Sequence, residues 1–315
     1  MKKVMVSLLV LAAFVLAAKS CVNVSHNAVI LIDSLTQKIY PKLKVGMVLK
    51  NDVLVDNVTK LLPDYTGWLP AALVKVNQAQ AASCKKAGLP LYNSCSGSTY
   101  CLVPINGIAV YIYHGNFTKK LFEVFGGMPK GMGNPKSSLW VIELLDPFCP
   151  YCARFYLEGG GRLIETWAKE GKIYMIPVMI AFHTYTKGYN QSLALAYVQQ
   201  ELANGNETQK FFDLEHKIIA NLEALVNAKK ELVNIVNVVK EYGLVKQVKN
   251  ETQAINALKG WYNEQMMKAH QLFPTIATPT TILLNPKTGK AIAVMGAQSS
   301  AALVQVARIL GVNIK

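Results

Sequence analysis

The sequence predicts an α/β fold, on the strength of three observations. Residues 139–145 and 172–182 are near-continuous apolar runs of strand length, as expected of strands buried on both faces of a sheet. Between and after them lie helical stretches, above all from 191 to about 272, where Ile218, Ile219, Leu222, Leu225 and Val226 recur at three- and four-residue spacing. Residues 280–284 and 291–295 flank the turn Asn285-Pro286-Lys287-Thr288-Gly289 and so form a hairpin. The order strand, helix, strand, helical block, hairpin, helix places helices on both faces of one sheet.

Taken along the chain, the elements divide into four parts. Lys2 and Lys3 precede an apolar stretch from 4 to 18 that is short for a membrane span, so residues 1–20 read as an export signal or an N-terminal anchor. Cleavage fits after Ala17 or just before Cys21, which would then be open to lipidation. Residues 21–125 read as a small α+β domain. It has strands at 28–33, 45–58 and 105–113, a helix at 69–82 carrying Leu73, Val74 and Val76, a loop from Cys84 to Cys101, and a short helix at 118–125. The glycines and prolines between Gly126 and Pro135 predict a linker over 126–136. Residues 137–315 form the α/β domain proper, with the helical insertion at about 190–272. Residues 149–171 read as helix, weakened by Gly159-Gly160-Gly161, and the last helix is capped by Ser299 or Ser300 and ended by Gly311.

Composition narrows the function classes. Hydrophobic residues make up 51% and charged residues 17%, a globular balance with a sizeable core. The net charge of +14 is spread along the chain without basic runs or interleaved aromatics, which speaks against nucleic acid as a partner. Six cysteines suit an oxidising compartment, and Asn-x-Ser/Thr triplets at Asn23, Asn57, Asn116, Asn190, Asn206 and Asn250 fit an exported chain, or simply loops and helix caps.

The chemistry concentrates in Cys149-Pro150-Tyr151-Cys152. A Cys-x-x-Cys pair where a strand turns into a helix puts the first sulfur among unpaired N–H groups at the positive end of the helix dipole, favouring the thiolate. That thiolate attacks a disulfide, and Cys152, one turn on, resolves the mixed disulfide. Pro150 suits the first helical turn. Zinc would need two further ligands; there is no second close cysteine pair, and His26, His114, His183, His216 and His270 lack ligand spacing. An inert structural bridge is the bland alternative. Glu143, an acid inside an apolar strand, needs a partner or a catalytic role, unless it faces water.

The stretch from Val141 to Cys152 resembles the active-site region of the periplasmic disulfide-oxidoreductase (Dsb) family of the thioredoxin superfamily. The resemblance covers roughly 136–315 and implies a thioredoxin-like fold with a helical insertion. It makes Glu143, six residues before the first cysteine, the buried acid that moves a proton to or from the released thiol. Ala277-Thr278-Pro279-Thr280 matches the family's cis-proline, with Thr278 and Pro279 implied as a platform for an extended client and Pro150 and Tyr151 beside it. It also implies an exported enzyme that needs no organic cofactor or metal. Its partners would be cysteine-containing exported clients and an unidentified protein that recycles the dithiol. An N-terminal domain on a linker is the layout of isomerase-type members, which leaves a homodimer open and leans toward isomerase or reductase. A reductase dedicated to one client, such as a haem or copper maturation partner, and a surface binding protein with a structural disulfide are the competing readings. Cys21, Cys84, Cys95 and Cys101 admit one or two structural bridges of undetermined pairing.

Overall fold

The computed structural model describes residues 110–314 save Lys246 and, before them, mainly the segments 67–70, 73–76, 91–93 and 99–102. The signal segment 1–20, the strands expected at 28–33 and 45–58, and Cys21, Cys84 and Cys95 lie outside the described residues.

The chain divides into two compact units, one of residues 1–65 and 69–104, the other of 66–68 and 105–315. In the first, β2 (Leu73–Val76), β4 (Thr99–Leu102) and β3 (Leu91–Asn93) form an antiparallel sheet in the order β2-β4-β3. Two expectations are corrected here. The helix predicted over 69–82 gives way to strand at 73–76, because Leu73, Val74 and Val76 are a short apolar run that satisfies either period. The loop between Cys84 and Cys101 contains β3 and ends in β4, which carries Cys101.

The second unit is the α/β domain. The seven-stranded sheet runs in the order β1-β5-β10-β9-β7-β8-β6, with β1 at Gly67–Pro70, of which residues 67–68 fall in this unit, β5 at Val110–His114 and β6 at Met132–Gly133. β7 (Trp140–Leu145) pairs in parallel with β8 (Tyr174–Met179) and antiparallel with β9 (Thr280–Asn285), which forms the expected hairpin with β10 (Lys290–Met295). β7, β8 and β9 are buried along their whole length, as their unbroken apolar character requires.

Side-chain alternation sorts the core into two faces. Trp140, Ile142, Leu144, Ile176, Val178, Ile282 and Leu284 pack with Phe117 and Leu121 of α1 (Phe117–Phe125) and with Ala269 and Leu272 of α8 (Glu251–Leu272). Glu143 therefore faces the opposite side, where α2 (Pro150–Glu158) and α3 (Gly160–Lys169) lie; the single helix expected at 149–171 is broken at Gly159. The insertion between β8 and β9 holds α4 (Tyr189–Asn204), α5 (Thr208–Ala220), α6 (Leu222–Val226), α7 (Ile235–Glu241) and α8. α4 is its axis, buried on nearly every side, and even its Gln191 and Gln200 are inside, held by hydrogen bonds to Val233, Leu232 and Met179 backbone. Ser299 caps α9 (Ser300–Ile309) as expected, accepting from the Ala302 N–H.

The predicted linker is also corrected. β5 pairs with β10, and the α1 N-terminus bonds to the hairpin turn through Phe117 N–H and the Gly289 carbonyl, so residues 110–125 belong to this unit. The glycines of 126–136 serve close packing within it. A Cβ on Gly131 or Gly133 would come within 2.3 or 2.4 Å of the backbone oxygens of Met175 and Ile173 beneath them. Asn116 and Asn250, two of the Asn-x-Thr asparagines, are N-caps of α1 and α8, in keeping with the cap reading of those triplets.

Candidate active site

Cys149 is the N-cap of α2, extended at φ −77° and ψ 118°, and Pro150 follows in the first turn. β7 delivers it: the strand ends at Leu145, Asp146 turns the chain, and the Cys149 N–H bonds back to the Asp146 carbonyl at 3.1 Å. Both cysteines are free thiols and buried, Cys149 3% and Cys152 2% exposed. Their environments push them apart. The Cys149 thiol is lowered from about 9 to about 6 by hydrogen bonds from the Cys152 thiol, then the Thr278 hydroxyl and the N–H groups of Cys152 and Tyr151, which outweigh burial. Cys152 is raised well above the ordinary thiol range, by burial first and by its neighbour Cys149 second. One exchange-ready sulfur and one held protonated is the asymmetry a two-step exchange uses.

The Thr278–Pro279 bond is cis, and the structure brings it to the cysteine pair from 129 residues away. The Cys149 thiol donates to the Thr278 carbonyl oxygen at 3.2 Å, and the Pro279 carbonyl is taken by the Gly296 N–H at 2.7 Å. Pro150 and Tyr151 stand outward, Tyr151 60% exposed.

Glu143 is fully buried and does not face water. Register places it opposite Thr281 of β9, whose hydroxyl donates to one carboxyl oxygen at 3.2 Å, while the Tyr156 hydroxyl from α2 donates to the other at 3.0 Å. Burial holds this carboxyl up at about 7, with the two hydroxyls pulling the other way. Glu215 of α5, buried and bonded by Gln199 at 2.6 Å, is likewise raised by burial to about 7, and its charge raises Glu143 less than burial does.

Sequence reasoning missed three contributors. Tyr156 and Thr281 have no signal in the motif, because they meet Glu143 only through the helix–sheet packing and the β7–β9 register. Asp146 lies within the quoted motif and could have been found by asking what a carboxyl does at a buried strand end. It accepts from the N–H groups of Phe148 and Phe182 and from His183 Nδ1, joining the loop before Cys149 to the loop after β8. Among the described residues no three His, Cys, Asp or Glu side chains converge as a metal site would require.

A family model described as Thioredoxin matches residues 127–295, over half of the chain. No curated protein matches it. Similar solved structures include the thiol-disulfide exchange protein alpha-DsbA2 from Wolbachia pipientis, 17% identical over 62% of this chain and 95% of that one at a TM-score of 0.38. BdbD from Bacillus subtilis in its oxidised form is 16% identical over 60% and 95%, at a TM-score of 0.39. A protein-disulfide isomerase from Novosphingobium aromaticivorans is 14% identical over 58% and 99%, at a TM-score of 0.33.

Proposed function

The chain belongs to the thioredoxin family, and from that premise we propose that it is a thiol–disulfide oxidoreductase of the DsbA-like type acting on exported proteins. The observation that carries the reading is the split between a Cys149 thiol near 6 and a Cys152 thiol far above its ordinary range, at the start of α2. Cys149 is the nucleophile. Its thiolate attacks one sulfur of a disulfide, forming a bond to that sulfur while the second leaves as a thiolate. Cys152 then loses its proton and displaces the bound sulfur, closing the Cys149–Cys152 disulfide. In the donating direction the same steps run backwards and a client dithiol is oxidised.

Glu143, poised near 7 beneath α2, is assigned the proton traffic of Cys152. Thr278 and Pro279, with Pro150 and Tyr151 on the rim, form the client platform, since the Thr278 carbonyl already holds the reacting sulfur. No cofactor enters these steps; the electrons come from or go to a recycling partner.

Donation of disulfides is the direction we assign. A thiolate stabilised below its ordinary range favours the reduced protein over its disulfide, which makes the disulfide form an oxidant. The layout that would favour an isomerase or reductase, an N-terminal domain joined by a linker, loses its linker, since the Gly/Pro stretch lies inside the α/β unit. Export is read from Lys2, Lys3 and the apolar run behind them.

Full-length Cys152→Ser protein, reduced and mixed with a synthetic peptide containing one disulfide, tests the exchange. A stable mixed disulfide through Cys149, absent in Cys149→Ser, is the expected product. No adduct at Cys149 would overturn the reading and favour a structural pair.

A further inference from the structure

Two side chains outside the cysteine motif, Asp146 and His183, are paired next to the residues that flank the reacting thiol in the chain. Asp146 is 1% exposed, and one of its oxygens accepts from the Phe148 N–H at 2.8 Å and the Ser192 hydroxyl at 3.5 Å. The other accepts from the Phe182 N–H at 2.6 Å and from His183 Nδ1 at 2.7 Å. Of these donors only His183 can carry a positive charge. Its side chain is 14% exposed, with the rings of Phe182 and Tyr185 edge-on at 6.2 and 5.6 Å. The imidazole lines a groove together with Phe148 and Pro150, the two residues that flank Cys149 in the chain.

We propose that His183, clamped by Asp146, is a positioning residue that supplies the cationic partner of the Cys149 thiolate, a task for which Pro150 and Tyr151 have no charged side chain. The proposal rests on the exchange reading above and assigns a residue to that same site. Its physics is ordinary. The Asp146 hydrogen bond and charge raise His183 above the usual imidazole range against partial burial, and the Cys149 charge raises it further. A coupling between two sites is reciprocal, so an imidazolium that is favoured by the thiolate favours the thiolate in return.

Among the described residues, the titratable or charged groups around the ring include its partner Asp146 at the end of β7, Cys149 at the start of α2, Tyr185 on the same loop, and Glu223 and Lys229 across the groove. They also include Glu215 of α5, whose carboxyl is raised by burial first and then by the charges of Asp146 and Cys149. Glu223 and Lys229 are opposite in sign, and His183 is the titratable group hydrogen-bonded to Asp146 on the Cys149 side of the groove. As pH rises past the imidazole's titration the thiolate loses its partner, so the advantage of Cys149 belongs to neutral and acidic conditions.

The test follows thiolate absorbance near 240 nm against pH in the full reduced chain, each trace differenced against Cys149→Ser. Wild type is expected to titrate at about 6. His183→Gln is expected to titrate about one pH unit higher, which is roughly tenfold less thiolate in acid, and His183→Lys to recover part of the shift. Coincident curves for wild type and His183→Gln would overturn the proposal. If His183→Gln fails to fold, proton NMR of the His183 ring in wild type and Cys149→Ser gives the reciprocal reading. The imidazole must titrate lower without the cysteine charge, and an unchanged midpoint overturns the coupling. Neither measurement uses a client, so a protein that shows the coupling but forms no mixed disulfide would sink the exchange reading and leave this one standing.

Discussion

The sulfur of Cys149 lies 3.2 Å from the carbonyl oxygen of Thr278, two residues that only the closing of β9 against β7 brings together. The contact joins the reactive end of α2 to the backbone before Pro279. The Thr278 hydroxyl also contributes to the acidity of the thiol.

Replacing Thr278 by Val keeps the carbonyl and removes the hydroxyl. The Cys149 midpoint, read from the pH dependence of iodoacetamide labelling, should rise by about half a unit to one unit, since one unit corresponds to about 1.4 kcal/mol and a neutral hydrogen bond is worth about 1 kcal/mol. An unchanged midpoint would show that the hydroxyl has no part in the thiolate's stability.

Glu143 gives a pH-dependent stability with a definite sign. Its carboxyl is raised by burial from 4.5 to about 7, so the folded state holds a proton that the unfolded state gives up. The stability this proton confers is complete below about 4.5 and is lost as pH rises through about 7. Urea unfolding of wild type and Glu143→Gln should therefore diverge with pH. The wild type should lose on the order of 3 kcal/mol relative to the variant between pH 4 and pH 8. Parallel pH curves would mean that Glu143 titrates alike in the folded and the unfolded chain.

Tyr156→Phe leaves the ring packed against Phe155 and Phe212 and removes only the hydroxyl that donates to Glu143. The expected cost is about 1–2 kcal/mol of stability. Because that hydroxyl holds the Glu143 carboxyl down, its midpoint should move further up, and the pH at which stability falls should move with it.

Gly188 precedes α4 at φ −85°, where any residue is allowed, so its need for glycine is one of space. A Cβ there would fall 1.9 Å from the Leu225 carbonyl oxygen and 3.0 Å from the Phe148 ring. Gly188→Ala should destabilise the chain by about 2–3 kcal/mol, because backbone rather than a flexible side-chain end must give way. Thermal unfolding checks it, and an unchanged Tm would contradict the packing described.

The cysteine pair, its helix start, the buried strands and the Thr278-Pro279 landmark were legible in the sequence because each is a local pattern. Burial of Glu143 followed from an acid set in a continuous apolar run, but its partners did not. Thr281 is 138 residues away, and only the strand register names it. The pairing of Asp146 with His183 was hidden for the same reason, since it depends on where the loop after β8 returns. Residues 126–136 misled because glycines that permit close packing beneath a sheet edge look, in sequence, like glycines that permit flexibility. Leu73, Val74 and Val76 misled because three apolar residues within four positions suit strand and helix alike.

The account turns on Cys149 being the acidic thiol that exchanges with a client while Cys152 waits protonated. The direct measurement is the pH dependence of the rate at which the reduced full-length protein reacts with a peptide disulfide, with the modified cysteine identified by mass spectrometry. The account predicts a rate that rises through a midpoint at about 6, with the initial adduct on Cys149 alone. A midpoint in the ordinary thiol range, or adducts shared equally by Cys149 and Cys152, would contradict it.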